Sequence, residues 1–194
     1  MTQKKNVRRC AWVSNDPLYI TYHDIEWGVP QHDDTTQFEF LILEGMQAGL
    51  SWLTVLRKRE NYRQALDGFD YHKIANYKEN KVDELLHNEG IIRNKLKIAS
   101  IIQNAKAFLA VQKAYGSFGT YIWQFVQNKP IQHTFHMISE IPSKTEISDA
   151  LSKDLRKRGF NFVGSTICYA HMQATGMVND HTTDCFRYKE LFTD

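Results

Sequence analysis

Apolar positions recur at helical steps through most of the 194 residues. In segment 94–116, Ile98, Ile101, Ile102, Ala105, Phe108 and Leu109 lie three and four apart, the stripe of an amphipathic helix that Gly116 terminates. The same reading predicts helices over 36–46 and 51–66, the second with Ser51 as its N-cap. Shorter ones follow at 81–88, stopped by Gly90, and at 117–126. A helix over 148–158 is capped by Ser148 and ended by Gly159, and another over 165–175 is closed by Gly176. Only Gly-Phe-Asn-Phe-Val-Gly separates them, room for a tight hairpin and nothing else. Strand signals are few and short, so the expected fold class is all-α.

Composition supports that expectation. Hydrophobic residues make up 42% and charged residues 24%, which excludes a disordered chain and a disulfide-stapled miniprotein. With 10 glycines and 4 prolines there are too few turn formers for a many-stranded sandwich or barrel. The length suits one compact domain or two small ones sharing an interface. No repeat and no low-complexity linker marks a cut, so 1–194 is read as a single unit with a basic extension over 1–9. The charge-free run 159–179 is long enough to cross a bilayer, yet Asn161, Ser165, Thr166, His171, Gln173 and Thr175 interrupt it, so it is read as buried. The basic N-terminus lacks the apolar stretch of a signal peptide, which makes the cytoplasm the expected compartment and a membrane an unexpected partner. In a reducing compartment the three cysteines, Cys10, Cys168 and Cys185, point to metal ligation or plain burial, not to a structural disulfide.

A net charge of +2 gives no general pull on a polyanion, but its distribution is uneven. Basic residues cluster at Lys4, Lys5, Arg8 and Arg9, at Arg57, Lys58, Arg59 and Arg63, at Arg93, Lys95 and Lys97, and at Lys153, Arg156, Lys157 and Arg158. Each cluster suits either phosphate contacts or a solvated helix face. The last one leads into the hairpin. There Gly159 and Gly164 permit backbone geometry that other residues resist, and Phe160, Phe162 and Val163 anchor the turn. The free amides opening the next helix, around Ser165 and Thr166, would then suit a phosphate. An ordinary helix-helix connection uses the same residues; the adjoining basic end favours DNA.

Two further constellations carry chemistry. Cys10 and His23 near one end, with His181 and Cys185 four apart near the other, could together make a tetrahedral metal site joining the termini; surface histidines and a buried thiol are the alternative. Cys168 is read as a buried thiol. Trp12, Tyr19, Tyr22 and Trp27 crowd a proline-containing stretch that reads as a loop, and Trp52 follows Gly49. Such aromatics form either core or walls on which a planar, cationic ring stacks. Glu44, after the apolar run Phe40 to Leu43, is either a solvated flank or a buried carboxylate in need of a partner.

These segments together resemble the 3-methyladenine DNA glycosylase I family of base-excision repair enzymes. The resemblance rests on three ordered motifs: 10–30, beginning Cys10-Ala-Trp-Val-Ser-Asn-Asp-Pro; 43–56, beginning Leu43-Glu-Gly-Met-Gln-Ala-Gly-Leu-Ser-Trp; and Arg158-Gly-Phe-Asn-Phe-Val-Gly through Asn179-Asp-His181. It implies a helix-hairpin-helix glycosylase fold, with that motif at 155–176. It also implies one structural zinc held by Cys10, His23, His181 and Cys185. Glu44 becomes the recognition and catalytic residue of a base pocket walled by Trp12, Tyr19, Tyr22 and Trp52, with Trp27 in support, and Gly159, Gly164, Ser165 and Thr166 become the DNA grip. The implied activity is hydrolysis of the glycosidic bond of 3-methyladenine flipped from alkylated double-stranded DNA, by a monomer without strand cleavage. Asp180 is a further candidate for orienting the attacking water. Two features depart from the family pattern: the extension over 1–9, and Met46 where glutamine is more usual. The competing readings are a zinc-stabilised nucleic-acid-binding module that recognises damaged bases without cleavage, and a metalloenzyme acting on a free nucleobase or nucleoside.

Overall fold

A computed structural model describes residues 7–191, so residues 1–6 of the basic extension lie outside the described part. The elements in chain order are α1 (Pro17–Thr21), a turn of π-helix (Tyr22–Glu26), α2 (Asp34–Gln47), α3 (Trp52–Ala65), α4 (Tyr71–Ile74), α5 (Glu79–His87), α6 (Lys95–Tyr115) and α7 (Phe118–Trp123). There follow β1 (Ile131–Gln132), α8 (Glu146–Lys157), α9 (Ser165–Ala174), β2 (Val178–Asn179) and α10 (Phe186–Glu190). The two strands pair in parallel with Ile131 opposite Val178, and they are the only sheet among the described residues. The all-α expectation therefore holds apart from this clasp.

Long helices begin and end where capping chemistry puts them. Ser51 caps α3 by accepting from Thr54 N, Asn94 caps α6 by accepting from Lys97 N, and Gly116 closes α6 at φ +86°. Two expectations need correction. Ser148 is not the cap of α8: Thr145 is, and the two residues close a reciprocal box, Ser148 N donating to Thr145 Oγ1 at 3.2 Å and Thr145 N to Ser148 Oγ at 2.8 Å. Nor is the aromatic stretch a loop. Asp16 accepts from Leu18 N at 2.9 Å with Pro17 at the first helical position, and the π-helical turn that follows buries both Tyr22 and His23.

Helix α2 is the central element, packed against α3, α6, α7 and α9. Phe38, Phe40, Leu41, Ile42, Leu43 and Met46 are all buried, so the helix is covered on every side, and each such side chain contributes about 1.5–3 kcal/mol. Asp34, in its first turn, accepts from Phe118 N and Gly119 N and thereby caps α7. Glu44 thus sits on a helix enclosed by four others. Among the described residues no helix is long and apolar enough to cross a membrane.

Candidate functional site

The sequence-nominated aromatics converge. Trp12, Tyr19, Tyr22, Trp27 and Trp52 all line one cavity of about 360 Å³, with Glu44 in its wall. Trp12 is the hub of this side, its ring centroid 5.0 Å from both Tyr19 and Trp27, while Tyr22 packs against Trp52 at 5.4 Å. The opposite wall comes from α9, through Thr166, Tyr169 and Gln173, and from the segment before α8, through Ile138, Ile141 and Pro142. None of these except Thr166 was nominated from sequence. The α9 residues carried a usable signal, since 166, 169 and 173 share one helical face. The 138–142 segment carried none.

Glu44 is only 4% exposed, and no donor among the described residues reaches its carboxyl group. Burial alone pushes its pKa up to about 8, so the cavity holds it mainly as the neutral acid at pH 7. Burial and the nearby Glu44 also raise the pKa of Tyr19 and Tyr22. Behind this wall, Arg59 pairs with Glu26 and Glu39, Arg63 donates to Glu39 at 2.8 Å, and Arg57 reaches Asp16 at 2.6 Å. That basic cluster is therefore engaged within the chain. Glu26 and Glu39 are also neutralised, which leaves Glu44 as the cavity's unpaired acid.

Cys10, His23, His181 and Cys185 come together, all buried, with ligand atoms within 4.8 Å of one another: a donor set that could hold a metal ion. Cys10 Sγ and Cys185 Sγ each lie 3.4 Å from His181 Nδ1, and Cys185 Sγ lies 3.4 Å from His23 Nε2. The outer ring nitrogens are oriented from outside: His23 Nδ1 meets Asp24 Oδ1 at 2.7 Å, and His181 Nε2 meets the Trp27 carbonyl at 3.1 Å. Hydrogen bonding to Cys10 and to both imidazoles lowers the pKa of Cys185, whereas the hydrogen bond to Cys185 and burial raise that of Cys10. Arg9 grips Asp24 through Nε at 2.8 Å and Nη2 at 2.6 Å, so this part of the extension is tied down and is no free tail. The cluster also braces the cavity, because Trp12 packs edge-on against His23 at 5.2 Å and Trp27 against His181 at 4.5 Å. Cys168 is buried, its pKa raised to about 12 by desolvation, and stands apart from the cluster.

Between α8 and α9, Gly159 adopts φ +91° and Phe162 φ +54°, while Phe160 and Val163 are buried. Ser152 Oγ holds the Val163 carbonyl at 2.6 Å. Gly164 caps α9 without a side chain, and the amides of Ser165, Thr166 and Ile167 have no acceptor among the described residues. Arg158 is drawn away by Asp154 and lies over Tyr115 and Tyr121, whereas Lys153, Arg156 and Lys157 are exposed and form no ion pair among the described residues. Asp180 is buried and accepts from Tyr169 Oη, Gln173 Nε2 and His133 Nδ1 at 2.6–2.7 Å. It stands behind the cavity wall and does not line the cavity.

Residues 12–188 match the family model described as methyladenine glycosylase. The chain belongs to the methyladenine glycosylase family. It is 53% identical over 182 residues to DNA-3-methyladenine glycosylase 1 of Escherichia coli (strain K12), covering 94% of this chain and 97% of that protein. A crystal structure of 3-methyladenine DNA glycosylase I superposes with a TM-score of 0.90 at 55% identity, covering 92% of this chain and 98% of the other. The Staphylococcus aureus 3-methyladenine DNA glycosylase I, solved to explain 3-methyladenine recognition, superposes at 0.89 with 35% identity, covering 92% and 95%. In this methyladenine glycosylase, Met46 is buried and its carbonyl accepts from Lys97 Nζ at 2.8 Å.

Proposed function

We propose that this protein is a base-excision repair glycosylase that receives 3-methyladenine flipped from alkylated double-stranded DNA and hydrolyses its N-glycosidic bond. The observation that carries this reading is a buried, unpaired carboxyl group, Glu44, in a cavity walled by six aromatic residues, Tyr169 among them. Extruding a base costs a few kcal/mol of pairing and stacking, and damage lowers that cost. Methylation at N3 leaves the attached adenine positively charged. Each aromatic face attracts a desolvated cation by about 0.5–2 kcal/mol, and a Glu44 carboxylate adds a charge-assisted hydrogen bond. Normal adenine, being neutral, gains neither the charge term nor a reason to ionise Glu44. The cavity therefore selects by charge.

The cationic base is already a good leaving group. Water oxygen forms a bond to C1′ as the C1′–N9 bond breaks, the electron pair neutralises the departing base, and the water's proton passes to solvent. Glu44 as carboxylate stabilises positive charge developing on the sugar. Among the described residues no lysine lines the cavity, which supports hydrolysis without a Schiff base or strand cleavage. Asp180, with its carboxylate taken up by three donors, positions Tyr169 and Gln173.

We assign zinc to the four-residue cluster. With bonds of about 2.3 Å to sulfur and 2.0–2.1 Å to nitrogen, a tetrahedral site has sulfur–nitrogen edges of about 3.6 Å, close to the 3.4 Å separations found here. Four protein ligands supply a closed structural centre, not a catalytic one. The segment 155–176 acts as a helix-hairpin-helix grip, in which the open amides at Ser165 and Thr166, the Gly159 and Gly164 turns and the free Lys153, Arg156 and Lys157 hold phosphates without reading sequence. We take the whole chain to act as one unit, a monomer in the cytoplasm, where reducing conditions keep its thiols free.

Chromatography of bases released from methylated duplex DNA tests the proposal. Release of 3-methyladenine without strand scission is expected. Binding without release would favour the recognition module, and turnover of free nucleoside would favour the small-molecule enzyme.

A further inference from the structure

Helix α6 carries an anomaly on its core-facing side. Lys97, Ser100 and Asn104, spaced by three and four, are 7%, 4% and 2% exposed among the buried Ile98, Ile101 and Ala105. A buried polar group left without a partner is destabilising, so the identity of each partner matters. Lys97 Nζ donates to the Met46 carbonyl at 2.8 Å and the Ala48 carbonyl at 2.7 Å. These belong to the end of α2 and the turn that joins Glu44's helix to Trp52's. Asn104 Nδ2 donates to the Asn161 carbonyl at 3.0 Å, and its Oδ1 accepts from Asn161 N at 2.7 Å, a reciprocal grip on the hairpin between α8 and α9. Gln103 adds a bond to the Gly159 carbonyl at 3.1 Å. Ser100 turns inward to the Lys97 carbonyl at 2.6 Å.

Seven residues of helix separate the two clasps, a rise of about 10 Å along a rigid axis. We infer that Lys97 and Asn104 are positioning residues: Lys97 fixes the rim of the base cavity, Asn104 fixes the DNA-gripping hairpin, and α6 holds the two in register. The inference rests on the proposed function. Neither residue lines the cavity, so each acts through the turn it holds. Direct packing of Phe162 on Gly45, the neighbour of Glu44, leaves little slack between the parts once both are clasped.

The test compares Lys97→Met and Asn104→Leu, which keep side-chain bulk and remove the hydrogen bonds, with Lys97→Gln and Asn104→Ser, which retain a single donor and stand in should the first pair fail to fold. Lys97→Met is expected to slow single-turnover base release at saturating methylated duplex by about tenfold or more, with duplex Kd within about threefold of the parent. Asn104→Leu is expected to show the reverse split, and the conservative variants to fall between. Amide hydrogen exchange, which needs no turnover, should quicken at 47–51 in the first variant and at 159–164 in the second. Equal shifts of both constants in either variant, no shift, or loosening of both segments together would overturn the inference. Absence of base release by the parent protein would overturn the functional reading instead, and the exchange pattern would then decide the clasps alone.

Discussion

Replacing Glu44 by Gln removes one ionisable proton and almost no volume, so its consequences can be worked from burial alone. In the unfolded chain the carboxyl titrates near 4.5; in the folded protein it titrates at about 8. Below pH 4.5 both states hold the proton and folding carries no penalty. As pH rises through the window from 4.5 to 8 the unfolded chain releases it and the folded chain does not, so stability falls, by about 3 kcal/mol at pH 7 and about 5 kcal/mol beyond pH 8. The variant escapes this loss. The stability difference between variant and parent, from urea melts, should therefore grow in the variant's favour between pH 4 and pH 8. Activity moves the other way. A carboxylate about 4 Å from a cationic base gains about 4 kcal/mol at an effective dielectric of 20, and ionising Glu44 at pH 7 takes back about 1.4 kcal/mol. The net of about 2.5–3 kcal/mol corresponds to a loss of about 100-fold in kcat/KM for 3-methyladenine release. Because the proton must leave before the cation is held, kcat/KM of the parent should climb with pH and level off near 8, a limb the variant lacks. A variant that releases base at the parental rate, or a stability difference flat across pH, would refute this account of the pocket.

Burial depresses the His171 pKa to about 3, and its Nε2 faces Gln37 Oε1 at 2.8 Å. The unfolded histidine takes up a proton below 6.5 while the folded one does not, so stability should drop on acidification from 6.5 towards 3, most visibly by denaturant titration in Glu44→Gln, where the opposing slope is gone. Cys10→Ser should abolish binding of about one zinc ion per chain, read by elemental analysis, and lower Tm, whereas Cys168→Ser should retain the metal. Gly176→Ala sets a Cβ 2.4 Å from Pro30 N at φ +68°, so urea unfolding should show a loss exceeding about 2 kcal/mol. Asp180→Asn deprives Tyr169, Gln173 and His133 of a shared carboxylate and should cost about 2–4 kcal/mol in the same assay.

What could be read in advance follows the physics of each segment. Helices α3 and α6 combine a cap side chain with regular apolar spacing, and both appear where that spacing puts them. The start of α8 was misplaced because Thr145 and Ser148 are both cap formers, and only their reciprocal bonding shows which leads. Around Asp16 and Pro17 the aromatic density hid a genuine helix-start signal, and a π-helical turn has no periodicity to read. The residue types of the cavity's aromatic side and of the metal cluster were visible as chemistry, but their assembly was not, since spacing cannot bring Cys10 to Cys185; the family resemblance supplied that step. The basic residues were the least legible, since either of two readings fitted each cluster. Arg57, Arg59 and Arg63 resemble a phosphate grip in sequence, yet the acids that consume them lie at Asp16, Glu26 and Glu39, positions that only folding makes neighbours.

The donor cluster draws its first two members from the opening of the chain and its last two from the close. On the ribosome, a nascent polypeptide carries Trp12, Tyr19 and Tyr22 from the earliest moments of synthesis, whereas the four donors come together only once His181 and Cys185 have emerged. A product aborted before those residues lacks two of the four donors and the His181 ring that packs against Trp27, so prematurely terminated translation leaves the aromatic wall without that brace.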